Sequence, residues 1–564
     1  MSENTFENYF PYKSVRAPQA DILKSLDKIY ASDKKYRYIV IEAGTGIGKS
    51  AIAKAISKRA GNSYLLTATK QLQDQYEKDF YNMSVKVVKG AANYECAVDE
   101  GMRCSNGECK YERSIWMDCV EQGICPYVNA KKSAEKAEMY VTSYSYFLRA
   151  TKPLSVKAKP FPKRRVIVVD ECHMLEDQLI NSAGFTLSKD YLDKRYELNK
   201  GLDFNVYLRY NKKPRVDGLK ENEDWIKLIA TIIKNKIEFF QKTIASIKHG
   251  DRSNLTAEEL SDLEETDVNK LSQHINELTI LSEKIDNFLN SSEKENWIIS
   301  AKDGKLSVKP ISVENLFHQL IDKFAMNQVV FMSATILDKP GFCKDMGLTP
   351  ENTCFITKDS TFPSYNSPIV YDPIGSMSYK NINGTMPYVI DEIKRILALH
   401  PNEKGIIHTS TYGIMEKIVE SINSDRLVYK EMEVSNESLM KFHANSPNPT
   451  VLVSPSLMAG VDLHDDLSRF QIIVKLPYIS MADERVKRKM KNNQSWYTCK
   501  MMRNLVQECG RSTRNDKDWA VTYILDNAFM KSVKYNKKWL SNQFLNRIVD
   551  ISKFNLAKFK KGLK

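Results

Sequence analysis

The sequence predicts an α/β protein with parallel sheets and a helical insertion, and three observations carry that reading. An apolar run, Tyr38-Ile39-Val40-Ile41, leads through Glu42-Ala43-Gly44-Thr45-Gly46-Ile47-Gly48-Lys49-Ser50 into the helix-forming Ala51-Ile52-Ala53-Lys54-Ala55-Ile56. Val166-Ile167-Val168-Val169 is a β-branched run of the kind buried on both faces of a parallel sheet, and it ends in Asp170-Glu171. From about Ser188 to Lys309 the apolar residues recur at helical spacing instead. A chain of 564 residues is long enough for three or four domains.

The strand, glycine loop, Lys-Ser and helix form a phosphate cradle. The glycines let backbone N–H groups turn toward phosphate oxygens, and the helix N-terminus adds a positive dipole. Lys49 is placed to reach the β- and γ-phosphates of ATP, and the Ser50 hydroxyl to bind Mg²⁺. Ala43 stands where many such loops carry their first glycine, a tolerable change for a small residue. A glycine turn with a chance Lys-Ser after it is the plainer alternative, and the flanking strand and helix weigh against it.

An ATPase also needs a second oxygen ligand for Mg²⁺ and a group to orient the attacking water. Asp170 emerges at the carboxyl end of its strand, where α/β sheets place ligands, and suits the metal; Glu171 suits the water.

The formal net charge of +13 favours a polyanionic partner, although lysine-rich surfaces also serve solubility. Met1-Ser2-Glu3-Asn4 is polar and no segment is apolar for the length a bilayer needs, so the expectation is a cytoplasmic protein with no membrane partner. Disulfides are rare there, which draws notice to the ten cysteines, five of them between Cys96 and Cys125.

Further blocks follow in order. Asp170-Glu171-Cys172-His173 resembles the acidic box of superfamily 2 helicases in the form used by the XPD/DinG family, of the short bacterial or bacteriophage DinG-like type. Arg16-Ala17-Pro18-Gln19 resembles the segment whose glutamine reads adenine. The stretch from Leu65 to Gln75 resembles a motif that holds the DNA backbone, and Ser333-Ala334-Thr335 the motif linking hydrolysis to strand movement. Gly405 to Ser410 resembles the first strand of a second RecA-like domain. Val451 to Leu463, with Asp462 expected at the nucleotide, resembles motif V, and Gln507-Glu508-Cys509-Gly510-Arg511-Ser512-Thr513-Arg514 resembles motif VI. Each block alone is weak; seven in order over most of the chain are specific.

The resemblance implies two RecA-like, parallel-sheet P-loop domains. The first would comprise residues 1–88, 131–187 and 311–340, interrupted by a cysteine-rich insertion at 89–130 and a helical Arch at 188–310; the second would run from 341 to 564. Arg511 and Arg514, on one helical turn, share a face, and planar permanent cations suit a γ-phosphate in transit. They would reach the nucleotide when the domains close, with Gln507 beside them.

The borders Lys89-Gly90-Ala91-Ala92-Asn93-Tyr94-Glu95-Cys96 and Cys125-Pro126-Tyr127-Val128-Asn129-Ala130 resemble those of the family's iron–sulfur insertion. A 4Fe-4S cluster takes four thiolates, and five are present. Cys96, Cys109, Cys119 and Cys125 are the expected ligands, with Cys104 as an alternate for Cys109. Zinc, or no metal, is the other reading, disfavoured because no spacing is the two-residue gap of a zinc knuckle.

Two apolar stripes, Ile226 to Ile247 and Val268 to Leu289, predict long amphipathic helices joined through Gly250-Asp251-Arg252-Ser253. An Arch and a coiled partner-binding hairpin predict the same helices. The lysine-rich tail from Lys531, with Tyr535, Trp539, Phe544, Phe554 and Phe559, suits either single-stranded DNA or, preferably, docking on the second domain.

The implied activity is ATP-dependent movement along single-stranded DNA, 5′ to 3′, unwinding duplex, forked or R-loop and displacement-loop substrates. The implied state is a monomer, with a single-stranded DNA-binding protein as a further partner. An RNA-dependent ATPase, or a nucleic-acid clamp with weak ATPase, are the rivals. No nuclease activity is expected, because residues before 42 leave no room for such a domain.

Overall fold

The computed structural model describes residues 5–107, 109, 113–151, 161–188, 192, 219–249, 268–302, 305–430, 436–455, 463, 465–513 and 515–563. The first lobe begins with helix α1 (Ala17–Ala31), strand β1 (Tyr38–Ala43), helix α2 (Lys49–Ala60), strand β2 (Ser63–Thr67) and helix α3 (Lys70–Asp79). Strands β3 (Val85–Val88), β4 (Met139–Ser143) and β5 (Arg164–Asp170) follow. After them come β6 (Phe185–Ser188), β7 (Trp297–Lys302), β8 (Lys305–Pro310), β9 (Ala325–Ser333) and β10 (Thr353–Lys358).

Seven of these form one parallel sheet in the order β10-β1-β9-β5-β2-β4-β3. The β-branched run of β5 lies at its centre and is buried throughout Val166–Asp170. Two cores cover the two faces. One gathers Val40, Leu66, Val169 and Phe331, the other Ile39, Ile41, Leu65 and Val168. Alternation along each strand divides the residues in this way.

One expected boundary is corrected. The first sheet does not close at residue 340, because β10 pairs in parallel with β1 from Tyr38–Thr353 to Ala43–Lys358. β10 ends at Lys358 and the first strand of the next lobe starts at Ile369, so the changeover falls between them. The physical reason is that β1 would otherwise be an open edge beside the phosphate loop.

The second lobe holds β11 (Ile369–Gly375), β12 (Gly405–His408), β13 (Leu427–Tyr429), β14 (Val451–Ser454), β15 (Phe470–Ile473), β16 (Val521–Asp526) and β17 (Ile548–Asp550). They make a second parallel sheet, β13-β14-β12-β15-β16-β11-β17. The lysine-rich tail is part of this lobe. β17 adds an edge strand beside β11, Phe544 is buried, and Phe554 and Phe559 pack against the core. Docking, and not an exposed aromatic ladder, describes this segment, although Tyr535 remains exposed.

A third unit is inserted within the first lobe, between β5 and β9. β6, β8 and β7 form a small antiparallel sheet, against which the helices Leu219–His249 and Val268–Leu289 bury Ile226, Ile229, Ile233, Leu278 and Ile285. Lys234 Nζ lies 2.9 Å from Asp286 Oδ1 across the helix pair. The predicted turn at 250–253 lies outside the described residues.

Candidate active site

β1 ends at buried Ala43, and the loop turns back into α2 through two residues that only glycine occupies without strain, Gly46 (φ 83°) and Gly48 (φ 89°). Both are also close-packed. A Cβ on Gly48 would stand 2.5 Å from Gln19 Nε2 and 2.6 Å from an Arg16 terminal nitrogen, and one on Gly46 1.9 Å from the Phe362 ring. Arg16 Nη2 donates to the Ile47 carbonyl at 2.8 Å, and Arg16 N donates to Gln19 Oε1 at 3.0 Å. Arg16 and Gln19 therefore sit against the phosphate loop, as expected. Ser360 Oγ donates to the Thr45 carbonyl at 2.9 Å, so the segment joining the lobes also lies on the loop, a strap that no local motif announces.

Asp170 and Glu171 close the other side. Tyr76 Oη donates to Asp170 Oδ2 at 3.0 Å, Glu171 N donates to Asp170 Oδ1 at 3.0 Å, and Tyr144 Oη donates to the Asp170 carbonyl at 2.6 Å. Burial, and then the adjacent Glu171 charge, push the Asp170 carboxyl up to about 6. Glu171 has left-handed backbone (φ 53°), a conformation costly for a residue with a Cβ and frequent where side chains are aimed for chemistry. Its carboxylate lies 3.6 Å from Lys49 Nζ and 3.3 Å from His173 Nδ1.

These donors fit Mg²⁺. Asp170 is a buried carboxylate whose hydrogen bonds come from neutral donors, a second carboxylate crowds it, and the Ser50 hydroxyl faces the same Tyr76 oxygen. A hard divalent cation held by Ser50 and Asp170 relieves that arrangement, as oxygen donors suit it.

The second lobe supplies the opposite wall through the helix Gln494–Cys509. Gln507 Nε2 donates to His173 Nε2 at 2.8 Å and to Thr335 Oγ1 at 2.8 Å, while His173 Nδ1 lies 2.8 Å from Ser333 Oγ. Burial pushes the His173 imidazole down, which keeps it neutral and able to accept from Gln507. Its proton then belongs on Nδ1, facing Ser333 and Glu171. Lys49, Ser50, Asp170, Glu171, Gln507 and Arg511 all line one cleft of about 940 Å³. Arg514 and Asp462 lie outside the described residues.

A second contact between the lobes escaped the sequence reading. Glu176, on the helix Leu175–Ala183 just after the acidic box, is buried among three cations of the second lobe. Arg485 Nη2 lies 2.6 Å from Glu176 Oε1 and Lys500 Nζ 3.4 Å from Oε2, with Lys489 also on Oε1. Lys500 reaches Asp177 at 2.6 Å and Lys489 reaches Asp345 at 2.8 Å. Burial alone would raise the Glu176 carboxyl, but Lys500, Lys489 and Arg485 hold it well below the usual carboxylate range. Its partners are some 310 to 320 positions away in sequence, so no local pattern announces them.

The insertion brings sulfurs together. Burial, and then Cys125 and Cys96, raise the Cys104 thiol to about 11 against a backbone contact from Tyr127; burial, Cys125 and Cys96 likewise raise Cys119. Cys96, Cys104, Cys119 and Cys125 thus lie within each other's influence, and Cys109 is half-buried nearby in sequence. Two buried thiols, Cys104 and Cys119, each raised in part by Cys125 and Cys96, fit in kind a cationic iron or zinc centre that would hold them as thiolates. Among the described residues, no group of three or more His, Cys, Asp or Glu side chains is drawn close enough to hold a metal ion.

Family models match both lobes. The DEAD_2 model matches residues 22–192 and the helicase C-terminal domain model residues 393–546. The chain belongs to the XPD/DinG-like superfamily 2 helicases. This XPD/DinG-like chain is 22% identical to a probable ATP-dependent helicase of Methanocaldococcus jannaschii over 98% of each chain. It is 22% identical to the ATP-dependent DNA helicase YoaA of Escherichia coli, over 88% of this chain and 89% of that one. It is 23% identical to the 3′-5′ exonuclease DinG of Staphylococcus saprophyticus, over 76% of this chain and 54% of that one. Among solved structures, an XPD helicase superimposes with a TM-score of 0.63 at 15% identity, covering 96% of this chain and all of that one. Xpd4 of S. tokodaii gives 0.57 at 14% identity, covering 95% and all. These likenesses agree with the two-lobed fold. Among the described residues, no helix is long and apolar enough to cross a membrane.

Proposed function

We infer that this chain is an ATP-dependent DNA helicase that converts closure of its two lobes on ATP and Mg²⁺ into movement along single-stranded DNA. One observation carries the reading: Gln507 of the second lobe hydrogen-bonds both His173 beside the acidic box and Thr335 of the Ser-Ala-Thr motif, within the cleft that Lys49 and Arg511 also line. A nucleotide in that cleft would be held by Lys49 and the loop amides and flanked by Arg16 and Gln19. Glu171 would orient the water, and Arg511, with Arg514 following it, would meet charge developing on the γ-phosphate. Hydrolysis would remove the ligand that bridges the lobes, and the His173–Gln507 contact would then report the change to both.

Further parts of the proposal rest on the family's pattern. The direction is 5′ to 3′, on forked duplex, R-loop or displacement-loop substrates, by a cytoplasmic monomer loaded with the help of a single-stranded DNA-binding protein. The domain limits are those given for the sequence, with the changeover moved past Lys358. The cysteine-rich insertion holds a 4Fe-4S cluster through Cys96, Cys119 and Cys125, with Cys104 preferred to Cys109 because its thiol meets Cys125 and Cys96. When bound, the cluster supplies a covalent framework for a short polar insertion.

Strand displacement with 5′- and 3′-tailed duplexes, alongside ATPase assays with DNA or RNA, tests the reading. Activity on the 5′ tail, stimulated by DNA and abolished by Lys49→Ala, is expected. Stimulation by RNA alone, or unwinding that survives Lys49→Ala, would overturn it.

A further inference from the structure

Tyr76 belongs to none of the motifs read from the sequence, yet its phenol is bonded to Asp170 at the metal-binding end of the cleft. It lies on the buried face of α3 and is 1% exposed. Its hydroxyl donates to Asp170 Oδ2 at 3.0 Å, and the Ser50 hydroxyl faces the Tyr76 oxygen. One side chain therefore touches both residues that fit Mg²⁺. The outer face of the same helix carries Lys70 and Gln71, both exposed. Lys70 Nζ donates to Asn93 Oδ1 at 2.7 Å, and Lys89 pairs with Asp74, so α3 is also tied to the border of the cysteine-rich insertion. Gln73 Nε2, on the buried face, donates to the Val88 carbonyl at 3.3 Å and seats the helix on the sheet.

We propose that Tyr76 is a positioning residue for Mg²⁺, fixing the Asp170 carboxylate and the Ser50 hydroxyl in one geometry and tying that geometry to a single DNA strand on the outer face of α3. A carboxylate with one oxygen held by a phenol and the other by its neighbour's N–H keeps a single orientation and still has lone pairs for a cation. A rigid helix carrying both the phenol and an exposed polar face gives a strand bound outside a direct mechanical path to the metal inside. The inference rests on the ATPase reading of this cleft.

The test is binding of a fluorescent ADP analogue to the full chain, titrated with Mg²⁺, with and without an oligo-dT strand. Tyr76→Phe keeps the ring and removes the hydroxyl. The Mg²⁺ concentration for half-maximal nucleotide binding should rise at least about fivefold, the loss expected when a hydrogen bond to a charged group is removed. Nucleotide binding in EDTA and strand binding without nucleotide should stay at wild-type level, and the gain in Mg²⁺-dependent affinity on adding oligo-dT should shrink. Tyr76→Leu should show at least the same Mg²⁺ shift. An unchanged Mg²⁺ dependence in Tyr76→Phe overturns the proposal. Asp170→Asn separates the two failures: if it too leaves the Mg²⁺ dependence unchanged, the assignment of the metal site is wrong, and not merely the role of Tyr76.

Discussion

Gln507 Nε2 lies 2.8 Å from His173 Nε2, so a side chain of the second lobe donates directly to the imidazole that stands between Glu171 and Ser333. The same amide nitrogen reaches Thr335 Oγ1. Three sequence blocks, far apart in the chain, meet in one hydrogen-bonded group.

That group predicts the behaviour of Gln507→Ala. Two hydrogen bonds in a partly buried site are lost, each contributing on the order of 1 kcal/mol. DNA-stimulated ATPase should fall roughly tenfold to thirtyfold, at 1.4 kcal/mol per tenfold, while binding of ATP to Lys49 and the loop changes little. Steady-state ATPase with saturating DNA, beside equilibrium nucleotide binding, checks this. A parallel loss of both quantities would show that Gln507 serves the fold and not the coupling.

Glu176 predicts a stability effect. Its carboxylate is buried with Arg485, Lys489 and Lys500, and removing it leaves those cations without their central partner. Such a change costs about 3–5 kcal/mol in buried pairs, so Glu176→Ala should lower Tm by several degrees. The depressed carboxyl also fixes a sign. Its contribution is present above the ordinary carboxylate range and is lost as pH falls through the lowered native value. The melting gap between wild type and Glu176→Gln should therefore hold from neutral pH down to the ordinary carboxylate range and narrow only below it, and a gap that had already closed above that range would contradict the assignment.

What the sequence made legible was local. The phosphate loop, the strand ending at Asp170 and the two apolar stripes of the insertion are written in contiguous residues, and each appears where expected. β10 was missed because Thr353-Cys354-Phe355-Ile356 is an edge strand with half-exposed positions, not a β-branched run. The Ser360–Phe362 strap, Tyr76 and the Glu176 cluster owe their roles to partners distant in the chain, and nothing in their neighbours marks them. His173 stood inside a quoted motif, but its role depends on Gln507, some 334 positions later.

The cysteine insertion predicts a ligand choice. Cys104 meets Cys125 and Cys96 in the fold, so Cys104→Ala should lose iron and sulfide, and with them the broad visible absorbance of anaerobically purified protein. Cys109→Ala should retain most of both. The reverse pattern would exchange their roles, and stoichiometric zinc in wild type would replace the cluster while leaving the motor residues untouched.

Glu508 predicts the opposite pH response to Glu176. It is buried close to Arg511 in sequence, its Oε2 has no hydrogen-bond partner, and burial, opposed only by Arg511, pushes its carboxyl up to about 8. In the unfolded chain a glutamate ionises in the usual carboxylate range, so the fold binds the proton more tightly. The stability this confers is complete below that range and is lost as pH rises toward about 8. Glu508→Gln mimics the protonated form at every pH. It should raise Tm at pH 8, by the equivalent of on the order of 1–3 kcal/mol, and the advantage should shrink steadily toward pH 5. A variant that melts below wild type at pH 8 would mean that the carboxylate is ionised and paired with Arg511, and the arginine's approach to the nucleotide would then have to break that pair.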